Sequence, residues 1–149
     1  EVYRMPFAYC YRCPYGKSYP SCNLRCAEAL NDFFINQVAA DQVAAVIVEP
    51  VQGEGGFIVP PKGYFKRVKE ICEANGIVFI MDEIQAGMGR TGYLFASEYF
   101  EVEPDIILTA KSLAAGMPLS AVTGRAEIMN APHVGGLGGT YGGNPVSCA

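Results

Sequence analysis

The chain has 149 residues, of which 50% are hydrophobic and 17% charged, with 17 glycines, 10 prolines and a net charge of −4. That balance describes one folded α/β domain with a real core and many turns, and it excludes a disordered chain. The acidic charge argues against nucleic acid or an anionic membrane as partner, and no apolar run approaches the roughly 18 residues of a membrane span.

Residues 1–21 are rich in Tyr, Pro and Cys, have little periodicity and read as an irregular segment. Leu24, Ala27, Leu30, Phe34 and Val38 then recur at helical steps, which predicts an amphipathic helix over about 23–38 with Ser21 or Asn23 as N-cap. Val43–Val48 is a continuous apolar run, expected as a strand buried on both faces, and Gly53–Gly56 is a flexible loop. Pro60-Pro61 opens a second helix whose inner face carries Tyr64, Phe65, Val68, Ile71 and Cys72. Asn75-Gly76 closes it. Strands follow over Ile77–Met81 and Asp105–Ala110, with a short helical pattern near Leu94–Phe100 between them and a fourth strand over Leu119–Thr123. The stretch after it is turn-rich up to Asn144-Pro145, an N-cap followed by proline at the first helical position. Strand and helix alternate, so the expected architecture is a mostly parallel sheet with crossover helices.

In such sheets ligands bind beyond the carboxyl ends of the strands. Three strands here end in an ionisable residue, namely Glu49, Asp82 and Lys111, and parallel neighbours would line these up along one edge. A lysine amine there can attack a carbonyl to form a Schiff base, and an acid facing a heterocyclic nitrogen keeps that ring an electron sink. A plain Asp82–Lys111 ion pair is the alternative. Two nucleotide motifs fail. Gly87-x-Gly89-x-x-Gly92 matches a dinucleotide loop by letter, but it starts several residues after the strand and no strand ending in an acid follows at the required distance. Ala110-Lys111-Ser112 lacks the glycines of a phosphate loop.

Six cysteines include Cys10-x2-Cys13 and Cys22-x3-Cys26. Reduced thiols in a cytoplasmic protein are the favoured reading. The alternatives are a disulfide staple, or a non-catalytic module in which Cys10, Cys13, Cys22 and Cys26 hold a metal. The single histidine, His133, reads as a loop residue.

Four ordered motifs carry a resemblance. They are Val48–Gly56 (VEPVQGEGG), Asp82–Gly92 (DEIQAGMGRTG), Pro104–Ser112 (PDIILTAKS), in which Lys111 stands 29 positions after Asp82, and Gly138–Pro145 (GGTYGGNP). Together they resemble the class III aminotransferases, which use pyridoxal 5'-phosphate, and within that family the members acting on ω-amino acids such as 4-aminobutyrate. The resemblance implies part of the large, cofactor-binding domain of the fold type I transferases (aspartate-aminotransferase-like), spanning 1–149. It implies that Lys111 holds the cofactor as a Schiff base and then moves the proton. Asp82 would pair with the pyridine nitrogen, Ile84 pack on the ring and Gln85 bond the phenolic oxygen. Thr140 would reach the phosphate of a neighbouring subunit in a homodimer. Glu49 would pair with an arginine that lets one site accept both an amino donor and a 2-oxo acid such as 2-oxoglutarate. Without the family, Thr140 reads as a turn residue, Ile84 as core, Gln85 as a surface amide and Glu49 as a helix-facing acid. A racemase, epimerase or decarboxylase with the same cofactor site is the alternative within the family. Family members are several-fold longer, so the chain is expected to be a piece of a longer protein and to be inactive by itself.

Overall fold

A computed structural model describes residues 1–140 and 142–149. Its centre is a four-stranded sheet in the order β1 (Ala45–Val48), β2 (Val78–Asp82), β3 (Ile106–Thr109), β4 (Ala121–Gly124). β1, β2 and β3 run parallel, and β4 returns antiparallel to β3. The expected α/β architecture with a mostly parallel sheet is present.

Helices α1 (Arg25–Asn36), α2 (Tyr64–Ala74) and the short α3 (Ala96–Tyr99) cover one face of this sheet. Phe79 and Met81 of β2 point into the core they share with Leu30, Phe65, Val68 and Phe100. The Phe65 and Phe100 rings meet edge to face with centroids 4.8 Å apart, an arrangement worth about 1 kcal/mol beyond burial. α2 begins at Tyr64 after Gly63 (φ +86), three residues later than Pro60-Pro61 suggests. Its end is as expected: Gly76 (φ +67) turns the chain and the Asn75 amide donates to the Ile71 carbonyl.

Three expectations are corrected. Neither Ser21 nor Asn23 caps α1: Ser21 Oγ donates to the Ser18 carbonyl, and the cap position is Leu24 in the left-handed region. β1 is not buried on both faces, since Ile47 is 58% exposed, as is Val122 of β4 at 55%. The reason lies in the packing. Within the described residues, α1 and α2 pack on the face that carries Val46, Val48, Phe79 and Met81, and Ile47 lies on the other. Finally, the segment read as turn-rich contains a one-turn helix, α4 (Ala126–Met129). α5 (Pro145–Cys148) begins as expected, with Asn144 Oδ1 accepting from the Val146 and Ser147 N–H groups.

One buried carboxylate organises the sheet. Asp105, at the start of β3, accepts from Lys69 Nζ of α2 at 2.7 Å, from the Phe79 N–H at 2.8 Å and from Arg125 Nη1 at 3.1 Å. It ties the helix layer and three strands to one side chain.

Candidate active site

The register sets the site. Val48 pairs with Met81 and Asp82 pairs with Leu108, so Glu49, Asp82 and Lys111 all stand at the carboxyl ends of adjacent strands. Beyond this edge lies a cavity of about 410 Å³. Lys111, Ser112, Gln85 and Arg90 supply its polar groups, and Val51, Ala86 and Phe57 its apolar surface. An amine, an amide, a hydroxyl and a guanidinium thus converge on a partly apolar hollow at the strand ends, the usual position for a ligand in this architecture.

Gln85 is held from two sides. Its Nε2 donates to Glu54 Oε1 at 3.2 Å, and a side chain at Gly53 would come within 2.5 Å of its amide. The bare backbone of Gly53 is therefore what lets Gln85 lie where it does. Glu49 bends back over the same turn, its Oε2 accepting from the Gly53 N–H at 2.9 Å. Asp82 Oδ1 accepts from the Ile84 N–H at 3.0 Å, which fixes the carboxylate at the tip of β2.

Of the residues picked from sequence, the structure brings Lys111 and Gln85 into one cavity. Asp82 and Glu49 line a neighbouring groove that runs along the open edge of β1. Ile84 is half-buried beside Gln85, and Thr140 is exposed and touches neither hollow. Tyr141 of the Gly138–Pro145 motif lies outside the described residues. Sequence reading missed Glu54 and Arg90. The glycines around each were the available signal, because a charged residue set among glycines can approach another segment closely.

Glu83, directly after Asp82, is 1% exposed. Its two oxygens accept from the Ala96 and Ser97 N–H groups at 3.0 and 2.7 Å, capping α3 from a distance in sequence. Burial raises its carboxyl above the ordinary 4.5, and the two N–H donors only partly offset this. A raised carboxyl contributes its stability fully below its unfolded value and loses it as pH rises through the folded value. The wild-type protein is therefore expected to lose stability through this group as pH rises above its ordinary 4.5 and through the raised folded value. Glu83→Gln should flatten that slope in urea unfolding at stepped pH, and an unchanged slope would dismiss the explanation.

Among the described residues no group of three or more His, Cys, Asp or Glu side chains is placed to hold a metal. This corrects the metal-module alternative. Cys26 is buried in α1 as part of the core, whereas Cys10 is exposed. All six cysteines are free.

The sequence matches the class-III aminotransferase family over residues 1–149. A probable 4-aminobutyrate aminotransferase of Bacillus subtilis (strain 168) is 54% identical over 149 residues, covering 100% of this chain and 34% of that protein. The leucine/methionine racemase of Thermococcus litoralis is 50% identical over 147 residues, covering 99% of this chain and 33% of that protein. Among solved structures, a pyridoxal-phosphate-bound amine transaminase from an uncultivated Pseudomonas species superposes with a TM-score of 0.87 at 37% identity, covering 94% of this chain and 33% of that one. The chain spans about a third of the length of the curated relatives it matches.

Proposed function

The chain belongs to the class III aminotransferases, and we propose that the full-length protein is a pyridoxal-phosphate-dependent transaminase. Its donor is an ω-amino acid of the 4-aminobutyrate kind and its acceptor a 2-oxo acid such as 2-oxoglutarate. The observation that carries this reading is Lys111 in the wall of the same strand-end cavity as Gln85, one strand away from Asp82.

The residues present fit the cofactor. Val51, Ala86 and Phe57 offer apolar surface for a flat ring, and the Gln85 amide, held by Glu54 and given room by Gly53, offers a donor to its phenolic oxygen. Lys111 is the amine that would hold the group through its aldehyde carbon. When bound, pyridoxal phosphate supplies an electron sink that stabilises negative charge on the carbon bearing the amino group. Lys111, once its amine is freed, would take a proton at Nζ from the amine-bearing carbon of the donor and deliver it to the carbon through which it had held the cofactor. Asp82, its carboxylate fixed by the Ile84 N–H, would supply the negative charge that keeps a pyridine nitrogen protonated. Ile84 would pack on one ring face, Thr140 would bind phosphate across the interface of a homodimer, and Glu49 would neutralise an arginine when the donor lacks an α-carboxylate. Free cysteines support a cytoplasmic setting.

The test is amino transfer by the full-length protein, with 4-aminobutyrate and 2-oxoglutarate expected to yield glutamate. The 50% identity to a racemase supports a second reading within the same cofactor chemistry. Interconversion of amino-acid enantiomers with no transfer to any 2-oxo acid would replace the first reading with the second.

A further inference from the structure

Gly87-x-Gly89-x-x-Gly92 does not cradle a nucleotide, yet its geometry is unusually constrained. Glu83 clamps one end of this loop to the other by capping Ala96 and Ser97. Inside the loop the Gly87 N–H donates to the Glu83 carbonyl at 2.8 Å and the Gly89 N–H to the Leu94 carbonyl at 3.2 Å. Met88, Gly89 and Gly92 all have positive φ (+57, +86, +89). A loop folded back on itself this tightly carries Arg90 at its crown.

Arg90 reaches across to the cavity wall, where Nη2 donates to Ser112 Oγ at 3.1 Å. Ser112 follows Lys111, and Lys111 has φ +47, a left-handed backbone that costs a non-glycine residue about 1 kcal/mol or more. Its one-turn 3₁₀ helix, Lys111–Ala114, ends at Ala115, which is also left-handed at φ +49. Strain at a functional residue persists only where the surroundings impose it. Among the described residues, the Arg90 bond is the only side-chain hydrogen bond that reaches this turn.

We infer that Arg90 is a positioning residue: through Ser112 it holds the strained turn of Lys111 and so aims the Lys111 amine into the cavity. The catalytic consequence rests on Lys111 being the cofactor lysine, as proposed above, whereas the holding of the turn does not.

The experiment uses the full-length protein. In the cofactor-free form, Arg90→Ala and Ser112→Ala are each expected to raise amide exchange across residues 111–115 on the order of tenfold, with peptides from α2 and β2 unchanged. The double variant should exchange no faster than either single one, because both changes remove the same bond. In the loaded enzyme kcat should fall on the order of tenfold with donor KM changed less than about threefold, and Arg90→Lys, which can still donate to a hydroxyl, should recover part of the loss. Ser112→Ala keeps the test decisive if Arg90→Ala does not fold. Unchanged exchange over 111–115, additive effects, or a rise in KM with kcat intact would each overturn the inference, the last by making Arg90 a direct substrate ligand. Borohydride trapping on a residue other than Lys111 would instead defeat the proposed function, and the exchange result would still decide whether Arg90 holds the turn.

Discussion

Lys111→Ala in the full-length protein is expected to lower amino transfer by about a thousandfold or more, the scale of losing a positioned acid–base group together with the covalent attachment point. Borohydride reduction followed by peptide mapping should place pyridoxal phosphate on Lys111 in the wild type and on no lysine in the variant. The backbone adds a second readout. Alanine at φ +47 keeps the strain that lysine bears there, whereas glycine relieves it. Lys111→Gly should therefore be as inactive as Lys111→Ala yet more stable by about 0.5–1 kcal/mol in urea unfolding. A variant that retains more than a few per cent of turnover would remove Lys111 from the chemistry.

The second large effect falls on stability. Asp105→Ala strips the buried one of two carboxylate partners from Lys69, whose side chain is 13% exposed and which keeps only the exposed Glu73 at 3.3 Å, and leaves the Phe79 N–H without its side-chain partner inside the core. Breaking one side of a buried ion pair costs about 3 kcal/mol, more than any exposed pair on this surface contributes. Asp105→Asn keeps an acceptor for the Phe79 N–H and should lose about half as much. Burial by itself would raise the Asp105 carboxyl, but Lys69, the Phe79 N–H and Arg125 outweigh it and hold the group below its ordinary 3.8. The sign follows: the stabilisation is complete above that ordinary value and disappears as pH falls through the lowered one. Wild type and Asp105→Ala should therefore converge in stability on acidification. A loss under about 1 kcal/mol at neutral pH would show that the three-strand tie is dispensable.

The reading of the strands from sequence came close, because a run such as Ile77–Met81 between Gly76 and Asp82 has few other fates. The observed β2 is offset from it by one residue. α4 escaped because four residues cannot display a helical period. The exposure of β1 escaped for a different reason: an apolar run reports that a strand can be covered on both faces, while the segments packed against it decide which face is covered. At the site, Lys111 and Gln85 were legible as a motif and do share a cavity. Glu54 and Arg90 were not, since each acts on a residue at least 22 positions away.

By itself the order of residues determined the types of the longer elements, the ends at which Glu49, Asp82 and Lys111 stand, and the family, because periodicity, punctuation and motif spacing are local properties of the chain. Only the tertiary structure decided that Glu49 turns back onto the Gly53 N–H, that Asp82 borders a different hollow from Lys111, and that Arg90 braces the lysine turn. Those outcomes depend on which segments are brought side by side. A hydrogen bond between distant segments has no signature until the sheet has set their separation.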